Sequence, residues 1–226
     1  MDLICLCVKT DKHTVLFDTG FGGVIPTTGQ LIQNLQDSKI SRSEIDTVIL
    51  SHGHPDHICG ISGSNNQPNF PNAQYYMFKR EWEYWMSKPD FSEVDEFIRQ
   101  LTFTSIQKNL VPLKGRIQLL EKESEIVPGI KFLTTPGHTP GHISFVISSD
   151  KESLIILCDL FHRTIEIEDP SLFLLPPMTS EANISRAKLL SQVRIEDLLF
   201  SGHFSFPGVG KLYKSGDVQK WQPIAI

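Results

Sequence analysis

The sequence predicts a layered α/β sandwich folded as one domain over residues 1–226. Three observations predict it. Short apolar runs of strand length alternate with stretches of helical period. No repeat, low-complexity segment or linker interrupts them. The residues capable of chemistry stand directly after apolar runs, where open α/β sheets gather functional side chains.

Residues 3–8 (LICLCV) read as a strand, Asp11-Lys12-His13 as a turn that leaves His13 exposed, and residues 14–17 as the hairpin partner. Asp18-Thr19-Gly20-Phe21-Gly22-Gly23 follows as a glycine-rich loop. Leu31, Ile32 and Leu35 share one face of a helix expected over 28–38. Ser41 and Glu44 have capping-box spacing and predict a short helical turn. The β-branched run 47–50 reads as a buried strand.

From Ser62 to Pro112 the chain reads as loop, then as an aromatic-rich stretch. Phe78, Trp82 and Trp85 fall at i, i+4, i+7 and predict helix packing, which leaves Phe70, Tyr75 and Tyr76 to line a pocket. Strands resume at 130–133, 143–147 and 154–157. A helix over 180–193 carries Ile184, Leu189, Leu190 and Val193, and a last buried strand covers 198–200.

Composition excludes several classes. With 40% hydrophobic and 21% charged residues the chain is an ordinary soluble globular protein. A net charge of -5 with scattered basic residues offers no phosphate-tracking surface, so nucleic acid is not an expected partner. No apolar run is long enough to cross a bilayer, so no membrane association is expected. The first residues lack the basic start and cleavage site of a signal peptide. Four cysteines do not make a disulfide framework at this length; buried reduced thiols and a cytoplasmic setting are expected. An export signal upstream of Met1 would alter that setting.

The strongest signal is His52-x-His54-x-Asp56-His57, four metal-ligand types within six residues directly after a buried strand. Neutral imidazole and carboxylate suit zinc and similar ions, and Gly53 and Pro55 fix the loop. A histidine-rich surface loop is the bland alternative. It leaves unexplained why His138, Asp159 and His203 also stand where strands stop.

With these residues the chain resembles the metallo-β-lactamase superfamily, and Asp18-Thr19-Gly20 resembles that family's early loop behind the metal site. The resemblance implies a four-layer αβ/βα sandwich. Relatives carry one or two strands ahead of the one that opens this chain, so the N-terminal edge strand is expected to be lacking. The edge so exposed favours a homodimer. Carried over residue by residue, His52, His54 and His138 would bind one metal, Asp56, His57 and His203 a second, and Asp159 would bridge them. Zinc is the default ion, with iron, manganese and cobalt compatible with such sites. Two divalent ions beside one water supply hydroxide near neutral pH, and Asp56 would orient it.

The resemblance implies a metal-dependent hydrolase of a small-molecule ester, lactone or phosphotriester. His203-Phe204-Ser205-Phe206-Pro207 and Asp159-Leu160-Phe161-His162 are similar to the branch of methyl parathion hydrolase and the acyl-homoserine-lactone lactonases. Those lactonases place a tyrosine three residues after the bridging aspartate. Here the position is His162, which weakens a lactonase assignment. His162 is either a catalytic hydrogen-bond donor to substrate or an outer-shell residue, and His142 reads as structural. The alternatives are a mononuclear-iron persulfide dioxygenase-like oxidoreductase, against which the complete ligand set argues, and a non-catalytic metal-binding member of the fold.

Overall fold

The computed structural model describes residues 2–150, 152–172, 180–216 and 218–224. The chain divides into two compact units, Cys5–Glu121 and, for the other, Met1–Ile4 with Lys122–Ile226.

The Cys5–Glu121 unit is built on a five-stranded mixed sheet. Strands β1 (Leu6–Lys9) and β2 (Thr14–Phe17) form an antiparallel hairpin, with Leu6 opposite Phe17. Then β3 (Thr47–Leu50), β4 (Gln74–Phe78) and β5 (Ile117–Leu120) add on in parallel, in sequence order. All four residues of β2 and of β3 are buried, as parallel strands covered on both faces require. Helix α1 (Leu31–Asp37) connects β2 to β3 and buries Leu35. The expected capping box is present: Ser41 and Glu44 close a single turn over Arg42–Glu44.

Several expectations for this unit are corrected. The opening strand starts at Leu6, and the Ile4 amide donates to the Gly202 carbonyl within the other unit. His13 is tied down, with Nδ1 3.0 Å from Asp46 Oδ1 and one-third of its side chain exposed. The aromatic stretch is a strand followed by a helix. Phe78 ends β4, and Trp82 and Trp85 lie on α3 (Lys79–Met86). Phe70 and Tyr75 are fully buried in the core with Leu16, Val48, Met77 and Trp85, so neither lines an open pocket; Tyr76 is half-buried. Helix α4 (Glu96–Ser105), capped by Asp95, occupies part of the stretch expected to be loop.

The other unit holds a seven-stranded sheet in the order β12-β11-β10-β9-β8-β7-β6. Its strands are β6 (Glu125–Val127), β7 (Ile130–Thr134), β8 (Ile143–Ser149), β9 (Glu152–Ile156), β10 (Leu198–Phe200), β11 (Val209–Ser215) and β12 (Val218–Pro223). Pairing is antiparallel except between β9 and β10. Helix α6 (Ser180–Gln192) packs over a core of Ile155, Leu157, Leu160, Phe161, Leu199 and Leu212.

The buried stripe of α6 is Ala182, Ser185, Arg186, Leu189 and Leu190, at i, i+3, i+4, i+7, i+8. Two of those five residues, Ser185 and Arg186, are not hydrophobic, so the sequence misplaces the stripe by including Ile184, which is 70% exposed. Truncating Leu189 to Ala should therefore lower unfolding free energy by about 2–5 kcal/mol, whereas Ile184→Ala should stay within about 0.5 kcal/mol. Urea unfolding of the two variants tests the assignment, and equal shifts would refute it.

Candidate metal centre

In the Cys5–Glu121 unit the site grows from the ends of β2 and β3. Asp18, the residue after β2, adopts φ 56°, a left-handed conformation that turns its carboxylate back across the strand ends. There Oδ1 accepts the Ser51 amide at 2.7 Å, and Oδ2 accepts the Ser51 hydroxyl at 2.7 Å and lies 2.8 Å from His57 Nδ1. Ser51 Oγ in turn lies 3.0 Å from His52 Nδ1. The Nδ1 atoms of His52 and His57 are thus engaged behind the site, which orients each ring by its far nitrogen.

Helix α2 (Pro55–Ile58) begins with Pro55 at its first position, where the missing amide does no harm, and places Asp56 and His57 in its only turn. His52 Nε2 lies 3.0 Å from His54 Nδ1, and His57 Nε2 lies 3.7 Å from Asp56 Oδ2.

Beneath the loop sits a carboxylate that sequence reasoning missed. Glu81 on α3 is fully buried, and its Oε1 accepts the Gly53 amide at 2.9 Å and the Trp85 indole N–H at 2.6 Å. A Cβ on Gly53 would stand 2.3 Å from Trp85 Nε1, so the spacer between the two histidines has room for glycine alone.

The other unit assembles its own set. His138 follows β7 through Thr135-Pro136-Gly137. Gly137 has φ 136° and backs onto α6, where a Cβ would meet the Ala182 amide nitrogen at 2.3 Å, and Ser185 Oγ donates to the Pro136 carbonyl. Asp159 follows β9 in a turn over Cys158–Leu160, with Cys158 at φ 49°. His203 follows β10, its Nδ1 3.2 Å from the Asp2 carbonyl.

Three imidazole nitrogens converge on one oxygen of Asp159. From Oδ2 the Nε2 atoms of His138, His162 and His203 lie at 3.3, 3.3 and 3.1 Å, and all four residues are buried. Adjacent ligands of tetrahedral zinc stand roughly 3.3 Å apart when the bonds are about 2.0–2.1 Å, so this spacing fits a shared cation. Three rings gathered on one carboxylate oxygen fit a cation better than three competing hydrogen bonds. His138, Asp159 and His162 form one of the groups able to hold an ion.

His142 is structural. Its Nδ1 lies 3.0 Å from the Thr135 carbonyl and its Nε2 accepts the Asp159 amide at 3.1 Å, so both nitrogens position the loops. His162, read from sequence as a donor or outer-shell residue, stands among the converging rings. Its amide donates to Glu166 Oε2 at 2.6 Å. Glu166 carried no signal in the sequence.

Neither Cys5 nor Cys59 is set up as a nucleophile. Burial pushes the Cys5 thiol up to about 12, with the Asp18 carboxylate adding to the effect, and burial also raises the Cys59 thiol. Among the described residues no helix is long and apolar enough to cross a membrane.

Residues 5–207 match the family model of the metallo-β-lactamase superfamily. An N-acyl homoserine lactonase of Bacillus cereus is 24% identical over 222 residues, spanning 88% of this chain and 80% of its own. A probable metallo-hydrolase of Streptococcus pyogenes serotype M6 is 27% identical over 207 residues, spanning 88% and 75%. Among solved structures, the dizinc quorum-quenching lactonase AidC, in complex with a product, aligns with a TM-score of 0.87 at 28% identity, over 98% of this chain and 79% of its own. The hydrolase AbOPH of the beta lactamase superfamily aligns with a TM-score of 0.84 at 27% identity, over 97% and 78%.

The Glu81 carboxylate supplies its own test. Glu81→Ala leaves the Gly53 amide and the Trp85 indole without that acceptor, at about 1–3 kcal/mol for each buried donor left unsatisfied. Denaturant unfolding should register that loss; a variant as stable as the parent would deny the carboxylate its part in holding the loop.

Proposed function

Because the chain belongs to the metallo-β-lactamase superfamily, we propose that it is a dinuclear, zinc-dependent hydrolase that opens the ester ring of N-acyl homoserine lactones. The observation that carries the metal reading is the convergence of the buried His138 and His203 Nε2 atoms on Asp159 Oδ2. The likeness to a curated lactonase and to the dizinc lactonase AidC supports the substrate class.

In this reading His52, His54 and His138 would hold one ion, Asp56, His57 and His203 would hold the other, and Asp159 would contribute to both. Divalent ions held there would supply activation of a water and polarisation of the lactone carbonyl. Asp18 holds His57 by Nδ1, which keeps the Nε2 lone pair directed into the site. Asp56 accepts a hydrogen bond from the attacking water and fixes its direction. Attack on the lactone carbonyl breaks the ring C–O bond, and the ring oxygen leaves as an alkoxide that must gain a proton. His162, given no ligand role in this reading, would donate its Nε2–H to that oxygen, the role a phenol hydroxyl would fill at the same position. A substrate entering here meets imidazole and carboxylate, with no thiolate or activated serine required.

Metal analysis of the purified chain should find about two zinc ions per chain, the number a two-metal water-activating site needs. N-hexanoyl homoserine lactone should be hydrolysed, chelation should stop the reaction, and zinc should restore it. Asp159→Ala and His57→Ala should reduce turnover to background while circular dichroism shows a folded chain. Near-normal turnover in either variant would sink the dinuclear reading. Faster cleavage of a phosphotriester or aryl ester than of the lactone would move the substrate class and leave the metal site standing.

A further inference from the structure

Two charges lie wholly inside the unit formed with Lys122–Ile226. Arg186 Nη2 on α6 meets Glu166 Oε1 on α5 (Ile165–Glu168) at 2.9 Å, and both side chains are 0% exposed. A buried ion pair is a poor source of stability, because desolvation of both charges offsets their attraction. The hydrogen bonds of this pair show what else it does.

They close around one turn. Arg186 Nε donates to the Leu160 carbonyl at 2.7 Å, and the guanidinium lies 4.9 Å over the Phe161 ring. Glu166 Oε2 accepts the His162 amide at 2.6 Å and the Arg163 amide at 2.9 Å. Arg186 Nη1 reaches on to the carbonyls of Pro170 and Leu172. The carbonyl before Phe161, its ring and the amide after it are therefore all held, and this is the three-residue step from Asp159 to His162.

His162 needs such a hold more than four of the other histidines do. His52, His57, His142 and His203 each have Nδ1 within hydrogen-bonding distance of Ser51, Asp18, Thr135 and Asp2 respectively. The Nδ1 of His162 is buried with no hydrogen-bond partner among the described residues. Its ring is oriented from the backbone side.

We infer that the Arg186–Glu166 pair is a clamp that positions the His162 imidazole against Asp159, and thereby a determinant of turnover acting through His162. The turnover part rests on the hydrolase reading above. Neither clamp residue touches substrate.

Glu166→Gln tests it, because an amide has one acceptor where the carboxylate has two and must turn an N–H group toward either the backbone amides or the guanidinium. Turnover should fall about 10–100-fold with KM and zinc content little changed, the scale seen when outer-shell partners of metal sites are removed. In a His162→Ala background the same change should produce no further loss. An equal loss in both backgrounds would overturn the clamp in favour of general support of the fold. Arg186→Lys keeps the charge without the planar fork, and it should behave alike if Glu166→Gln folds poorly.

A second readout is free of activity. In 15N-histidine spectra of the full chain as purified, Glu166→Gln and Arg186→Lys should shift or broaden the His162 ring signals. The signals of His13, remote from the turn in sequence and in the other unit, should hold still. Unmoved His162 signals would refute the positioning role. A parent chain that hydrolyses no ester would instead defeat the hydrolase reading, while the spectra still decide the clamp.

Discussion

Buried carboxylates gripping backbone amides are the interaction on which the rest of each unit depends. A histidine-rich turn taken out of water must have its donors and acceptors matched, since an unmatched polar group in the interior costs more than a matched one returns. Asp18 accepts the Ser51 amide, Glu81 the Gly53 amide and Glu166 the His162 amide. Each carboxylate is itself held dry by elements with no chemistry of their own: β2, α3 and the α5–α6 pair. The strands deliver the histidines to the right place, and the carboxylates fix the turns that aim them.

This division explains what the sequence made legible. The His52-x-His54-x-Asp56-His57 run declares itself, because four ligand types in six residues have few innocent explanations. His138, Asp159 and His203 declare themselves by standing after the apolar runs that became β7, β9 and β10. Strands 14–17 and 47–50 were legible because their side chains are buried throughout, and the Ser41–Glu44 box because its chemistry is local.

Glu81 and Glu166 were not legible. Each is one glutamate in a polar stretch, and nothing nearby in sequence distinguishes a buried carboxylate from a solvated one. Arg186 hid on the buried stripe of α6, where hydrophobic pattern-reading substituted Ile184 for it. Phe70 and Tyr75 were misread for a related reason: an aromatic residue looks the same in a core as at a pocket wall until its neighbours are known. Position 162 gives a different lesson. A histidine where homoserine lactonases carry tyrosine weakened that reading from sequence, yet a curated lactonase and AidC stand among the proteins most like this chain. Imidazole and phenol both present a hydrogen-bond donor, so the departure changes the group and keeps the capability.

The Gly53–Trp85 contact has a consequence on an evolutionary timescale. Because the indole occupies the space a Cβ at position 53 would need, the two positions form a lock in which one residue dictates the other. A lineage leaving glycine at 53 must first pass through a smaller residue at 85, and that step strips Glu81 of its indole donor. The order of substitutions is constrained even though neither residue is an expected metal ligand. Descendants of this protein should change position 53 only where position 85 has already become smaller, so the state of the pair records the order of descent.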